Sequence, residues 1–194
     1  MKKSLGPKTL VLPTPVWLVG TYDSREKPNF MAAAWGGVVC SKPPAVGISI
    51  RKATYTYEAI VATKAYTISV MSESRVREAD YAGIVSGRDT NKFEHARLTA
   101  VASQLVHAPF VSEAPLLLEC KLIHTLELGL HTQFIGEILD VKAEENVLGE
   151  NGSPDAALVK AFSYDPGSRN YFTTGPLLAK AFSIGKELVE NPPT

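Results

Sequence analysis

Cysteine is scarce in this chain: two residues in 194, Cys40 and Cys120. They form no C-x-x-C and no metal-ligand spacing, which excludes a disulfide-stapled secreted scaffold and a zinc ribbon. An excess of either charge is also missing, with 20 Lys and Arg against 20 Asp and Glu. Neither a general nucleic-acid binder nor an anionic-membrane binder is expected, so any anion site must be local. Long apolar runs are absent. Val16–Gly20 is far too short for a signal core or a membrane span, and the cytoplasm is the expected location. The four histidines (His95, His107, His124, His131) contain no i, i+4 pair, and no metal site is expected. G-x-S-x-G, H-E-x-x-H, the P-loop and G-x-G-x-x-G are all missing. The last of these absences removes a dedicated dinucleotide domain.

What the chain does have is enough apolar sequence, 45%, to bury a core. No repeat or low-complexity linker divides it, so residues 1–194 are read as one domain. Period-2 alternation and turn residues predict strands at Val16–Tyr22, Pro28–Ala34, Ala45–Arg51, Ala65–Met71, Pro115–Leu128, Leu130–Val141 and Asn170–Thr174. Gly36-Gly37 interrupts the second of these. Helical patterns are expected after Arg51, over Ser72–Ser86, over Ala156–Phe162 and over Leu177–Phe182. Residues 86–93 and Gly149–Pro154 read as loops. Many closely spaced strands with few helices predict a mainly β fold, a closed antiparallel barrel with helical decoration.

Ser49-Ile50-Arg51-Lys52-Ala53-Thr54-Tyr55-Thr56-Tyr57 is the densest segment chemically. A short apolar strand runs into two cations and two hydroxyls where a helix begins. Helix N-termini carry unsatisfied N–H groups and partial positive charge, so the arrangement suits a phosphate. Alternation puts Val46, Ile48 and Ile50 on the core face, with Gly47, Ser49 and Arg51 opposite. The same residues also suit a Thr-capped helix beside a solvated basic turn. In Asn29-Phe30-Met31-Ala32-Ala33-Ala34-Trp35-Gly36-Gly37, small side chains leave the main chain open to a flat heterocycle, with Met31 and Trp35 as apolar walls. A tightly packed barrel strand would use alanine equally well. Ser86, Gly87, Arg88, Thr90 and Lys92 offer donors in a polar loop. His131, near a turn, offers an imidazole that suits either a structural hydrogen bond or an anion.

Taken in order, these segments resemble the flavin reductase-like family with the FMN-binding split barrel, most of all its flavoredoxin branch. Its Asn-then-small-then-aromatic pattern is matched by Asn29, Ala32, Ala33, Ala34 and Trp35. Its Pro-Pro, strand and Thr-rich element is matched by Pro43-Pro44, Val46–Ile50, Lys52, Thr54, Thr56 and Ile60, with Ala59 standing where Asn is usual. Ser86, Gly87, Asp89, Lys92 and Phe93 match a third element. Glu119-Cys120-Lys121-Leu122 and Gly129, His131, Gly136 and Glu137 match two more. The resemblance spans roughly residues 8–185. It implies FMN as the cofactor, with residues 31–35 along the isoalloxazine and Tyr164 and Tyr171 covering it. The implied cofactor set is Asn29, Met31, Ala32, Ala33, Ala34, Trp35, Ser49, Ile50, Arg51, Lys52, Thr54, Tyr55, Thr56, Ser86, Gly87, Lys92 and His131. It further implies a homodimer that carries electrons for a redox protein partner. The alternatives are an NAD(P)H-dependent flavin reductase or a non-catalytic flavin-binding protein. No side chain need act as acid or base in electron transfer; if hydride is handled, His131 is the first candidate.

Overall fold

A computed structural model describes residues 1–186 and Val189. Seven strands form one antiparallel sheet: β2 (Trp17–Tyr22), β3 (Pro28–Ala33), β4 (Gly36–Ser41), β5 (Pro44–Arg51), β6 (Ala65–Val70), β9 (Leu116–Leu128) and β10 (His131–Ala143). Their spatial order is β3-β2-β6-β9-β10-β5-β4. The sheet curls into a barrel whose two edges, β3 and β4, are joined by Ala34 and Trp35 alone. The Ser49 amide donates to the Trp35 carbonyl at 2.7 Å, which extends the β4–β5 ladder one residue into that link. The barrel is therefore split, mainly β and decorated by short helices, as expected. Two short ribbons complete it: β7 (Ala100–Ala102) with β8 (Pro109–Val111), and β1 (Thr14–Pro15) with β11 (Phe162–Asp165) and β12 (Asn170–Thr173).

Two apolar cores share β2, because alternate side chains leave a strand on opposite faces. Val19 joins Val46, Ile48, Ile50, Ile60, Tyr66, Ile68, Cys120 and Phe134 inside the barrel. Leu18 and Phe30 point outward, into a layer made with α2 (Val76–Ile84) and α3 (Lys92–Ala96). Phe30 meets Phe93 edge-on, with centroids 4.7 Å apart. That geometry adds about 0.5–1.5 kcal/mol beyond area burial and fixes α3 against β3.

The structure departs from the sequence pattern in several places. Gly36-Gly37 does not end pairing but opens β4, because Gly36 lies against the Trp17 ring; a Cβ there would sit 2.5 Å from it. Residues 92–96 form α3 rather than loop. The expected helix over Ala156–Phe162 stops at Val159 as α4 (Ala156–Val159), where Lys160 turns left-handed at φ 51°. Phe162 is then buried and starts β11. Leu177–Lys180 has no regular structure and Ala181–Gly185 forms turns. Leu177, Leu178 and Phe182 stay 89%, 96% and 98% exposed, so no packing offsets the cost of nucleating a helix there. Glu119 is fully buried although it is a carboxylate. It holds Lys142 and accepts from the Leu105 amide at 3.1 Å, which ties the residue 103–106 turn to β9.

Candidate functional site

The strand-to-helix corner forms as the alternation requires. Val46, Ile48 and Ile50 are buried in the barrel, Arg51 is exposed, and α1 (Tyr55–Thr63) begins three residues after Lys52. Thr54 stands at the N-cap but does not cap. Its hydroxyl donates instead to the Arg51 carbonyl at 2.8 Å. Among the described residues the amides of Tyr55 and Thr56 make no hydrogen bond, so the positive end of α1 is left open.

That end faces a cleft of about 330 Å³. Ten of the expected residues line it: Asn29, Met31, Ala32, Arg51, Thr54, Tyr55, Thr56, Ser86, Gly87 and Lys92. Asn29 and Thr56 are both buried, and the Asn29 amide donates to the Thr56 hydroxyl at 3.1 Å, which locks β3 to α1. Gly87 is required here by close approach. A Cβ on it would collide with Asn29 Oδ1 and lie 2.8 Å from the Tyr55 ring. Tyr55 donates to Asp23 at 2.6 Å, and this bond, with burial, raises its phenol pKa. Arg88 stacks over the Tyr55 ring at 5.6 Å and donates to the Ala53 carbonyl, bracing the corner from outside the cleft.

Two cations of different character serve the cleft. Arg51 pairs with no carboxylate among the described residues. Lys92 is only 4% exposed, donates to the Ala82 carbonyl at 2.9 Å, and is pushed down to about 8 by burial. A bound anion would relieve that burial cost.

The remaining expected residues lie elsewhere. Ala33 and Ala34 line a second chamber of about 290 Å³, which shares Ala32, Gly83 and Ile84 with the first. Trp35 walls an outer groove with Val11 and Pro13. Ser49 is half-buried on β5, and Ile50 points into the barrel core, so only its main chain can face a ligand. Lys52, in the turn just after β5, is paired with Glu127 of β9 at 2.6 Å and does not line the cleft. His131 stands opposite Arg51 across the β5–β10 ladder, outside both chambers. Tyr164 and Tyr171 do line the second chamber. Sequence reasoning missed Ala53, Ala82, Gly83, Ile84, Asp80 and Arg169. Of these only Gly83, an isolated glycine in a helical pattern, carried a local signal.

Comparison with known proteins assigns this architecture. Residues 9–167 match the flavin reductase like domain. The chain belongs to that family. Flavoredoxin of Desulfovibrio vulgaris (Miyazaki F) is 54% identical, with 95% of this chain and 100% of that one covered at a TM-score of 0.92. Flavoredoxin from Methanosarcina acetivorans is 30% identical, with 97% and 100% covered at 0.89. A Shewanella frigidimarina protein with a split barrel domain is 25% identical, with 94% and 100% covered at 0.82. The two chambers form a trough along β3, between the open end of α1 and the Tyr164–Tyr171 pair.

Proposed function

We propose that this protein holds FMN in the trough and carries electrons, in the manner implied by its likeness to flavoredoxins. One observation carries the reading: an uncapped helix N-terminus and an unpaired Arg51 meet at one end of a cleft that opens onto small residues at the other. A terminal phosphate answers both, whereas a neutral heterocycle answers neither. In this assignment Arg51, the Tyr55 and Thr56 amides and Ser86 hold the phosphate. Asn29 and Thr56 position the wall, Lys92 supplies a cation beside the ring system, and Met31 to Trp35 offer main chain and apolar surface to its flat faces. Ser49, Ile50 and His131 support the site from the β5–β10 ladder. Bound FMN supplies the one- and two-electron chemistry; the chain binds, orients and shields it.

The partner in this reading is another redox protein. The match to the flavin reductase like domain supports a second, in which NAD(P)H is the donor. We further propose one domain over residues 1–194 and a cytoplasmic location, consistent with two free cysteines. A homodimer is supported by apolar side chains left in solvent at Val38 on β4 and at Leu126 and Leu128 on the β9–β10 hairpin.

The test is direct. Purified protein is expected to bind about one FMN per chain, and protein that stays colourless with added FMN would refute the proposal. Anaerobic mixing of the loaded protein with NADH or NADPH then separates the readings: an unbleached flavin supports the carrier, and prompt bleaching the reductase.

A further inference from the structure

Past β12 the chain carries apolar side chains that its own body does not cover. The Thr174 hydroxyl donates to the Ala161 carbonyl at 2.6 Å, and among the described residues no hydrogen bond ties residues 175–186 to the rest of the chain. Proline restricts the residue before it to extended backbone, so Gly175-Pro176 leads the segment off β12 without reversing it. No turn falls between Thr174 and Lys180, a stretch that spans at most about 20 Å. Leu177, Leu178 and Phe182 are almost wholly exposed along this segment. The same molecule has an apolar groove outside the trough. One part, of about 450 Å³, runs along Val11, Pro13 and Trp35; a second, of about 350 Å³, shares Pro13 and adds Leu12, Tyr164 and Phe172. The two meet the second chamber only at Ala34 and Tyr164, and Val11, Leu12 and Phe172 are themselves exposed.

We infer that residues 176–182 are an exchanged arm: a second copy of this chain receives them in its groove and seats Leu177, Leu178 and Phe182 there, while giving its own arm in return. Two apolar surfaces left in water on one molecule mark an interaction site, and a two-fold exchange of the same segment covers both of them on both copies. The arm does not serve its own groove. Phe172 stands only five residues before Leu177, so the chain would have to double back between them, where it has no turn. The area is sufficient. At about 100 Å² for each side chain, six of them hide about 600 Å² and the receiving grooves about as much again, which reaches the lower bound of about 1,200 Å² for a specific pair. The exchange rests on the homodimer proposed above; it does not depend on which ligand fills the trough.

Cross-linking of full-length chains tests the exchange. Cys40, the exposed cysteine, is first removed as Cys40→Ser; Cys120 is buried, with its thiol pushed up to about 12, and does not compete. One such chain carries Leu178→Cys and another Val11→Cys, and the two are co-expressed and treated with a short bismaleimide. The expected product joins one chain of each kind, and neither chain by itself should cross-link. No mixed product, or a chain carrying both substitutions that links only within itself, overturns the inference. In sedimentation equilibrium, Leu177→Asp together with Leu178→Asp is expected to weaken the dimer at least about tenfold. Unchanged association overturns the exchange and leaves a homodimer formed elsewhere, whereas a wild-type chain that stays monomeric overturns both. A dimer joined through the arm that takes up no FMN removes the proposed electron carrier and leaves the exchange standing.

Discussion

Arg51 gives the sharpest separation between binding and folding. Its guanidinium is exposed, so solvent screening puts its contribution at the low end for a charge-assisted bond, about 1.5 kcal/mol. Arg51→Ala should therefore weaken FMN about tenfold. Riboflavin, which has the same ring and side chain but no phosphate, should lose less than about twofold. The open α1 terminus continues to serve the phosphate, so binding is reduced and not abolished. Lys52→Ala is the control. Its ammonium is held 2.6 Å from Glu127, and removing it should change FMN affinity less than about twofold although it adjoins Arg51. Quenching of flavin fluorescence, titrated at about 0.1 M salt and again at high salt, reads all of these. Raising the salt should weaken FMN and spare riboflavin. Equal losses of FMN and riboflavin in Arg51→Ala, or a Lys52→Ala effect as large as that of Arg51→Ala, would refute the anchoring of phosphate at this corner.

Three further outcomes are expected. Burial lowers Lys92 from 10.5 to about 8, so below pH 8 the folded state carries the full cost of a buried cation. That cost disappears as pH rises from 8 to 10.5, a gain of about 3 kcal/mol by denaturant titration relative to Lys92→Met; identical pH profiles would contradict it. Gly87→Ala should cost about 1–3 kcal/mol and weaken FMN together, because the new Cβ displaces Asn29 from its buried bond to Thr56. An unchanged denaturation midpoint would show that the loop yields freely. Burial alone would raise Glu119, but hydrogen bonds from Lys142, Ser103 and the Gln104 and Leu105 amides lower it. The stability it contributes is thus present above about 4.5, its ordinary value, and is lost as pH falls through its lowered folded value. Glu119→Leu should cost about 1–3 kcal/mol at pH 7, because the Gln104 and Leu105 amides lose their acceptor while Lys142 keeps Asp140 at 3.4 Å, and should flatten the acid limb of the stability curve.

The barrel and half of the site could be read along the chain because their determinants are local. Alternation over Val46–Arg51 put Val46, Ile48 and Ile50 in the core and Arg51 in solvent, although Gly47 on the opposite face is buried too, and the Thr-rich corner after it does begin a helix. The errors are non-local. Lys52 looks like a partner to Arg51 until folding brings Glu127 beside it. Glu119 alternates with apolar residues as an exposed charge would, yet Lys142 and a distant turn make it a buried one. The strands β7 and β8 have three residues each, too few to establish a period. Arg169 belongs to the site only because β11 and β12 fold back over α2, a contact between segments about 90 residues apart that no local pattern encodes.

The two residues between β3 and β4 form a short strap between the borders of the sheet. The Ser49-to-Trp35 bond carries the β4–β5 ladder one rung into that strap, and among the described residues no strand pairing joins β3 to β4. The borders can therefore part or close without a rung being broken, and deuterium uptake at the Ser49 amide would time the fraying of the strap from β5.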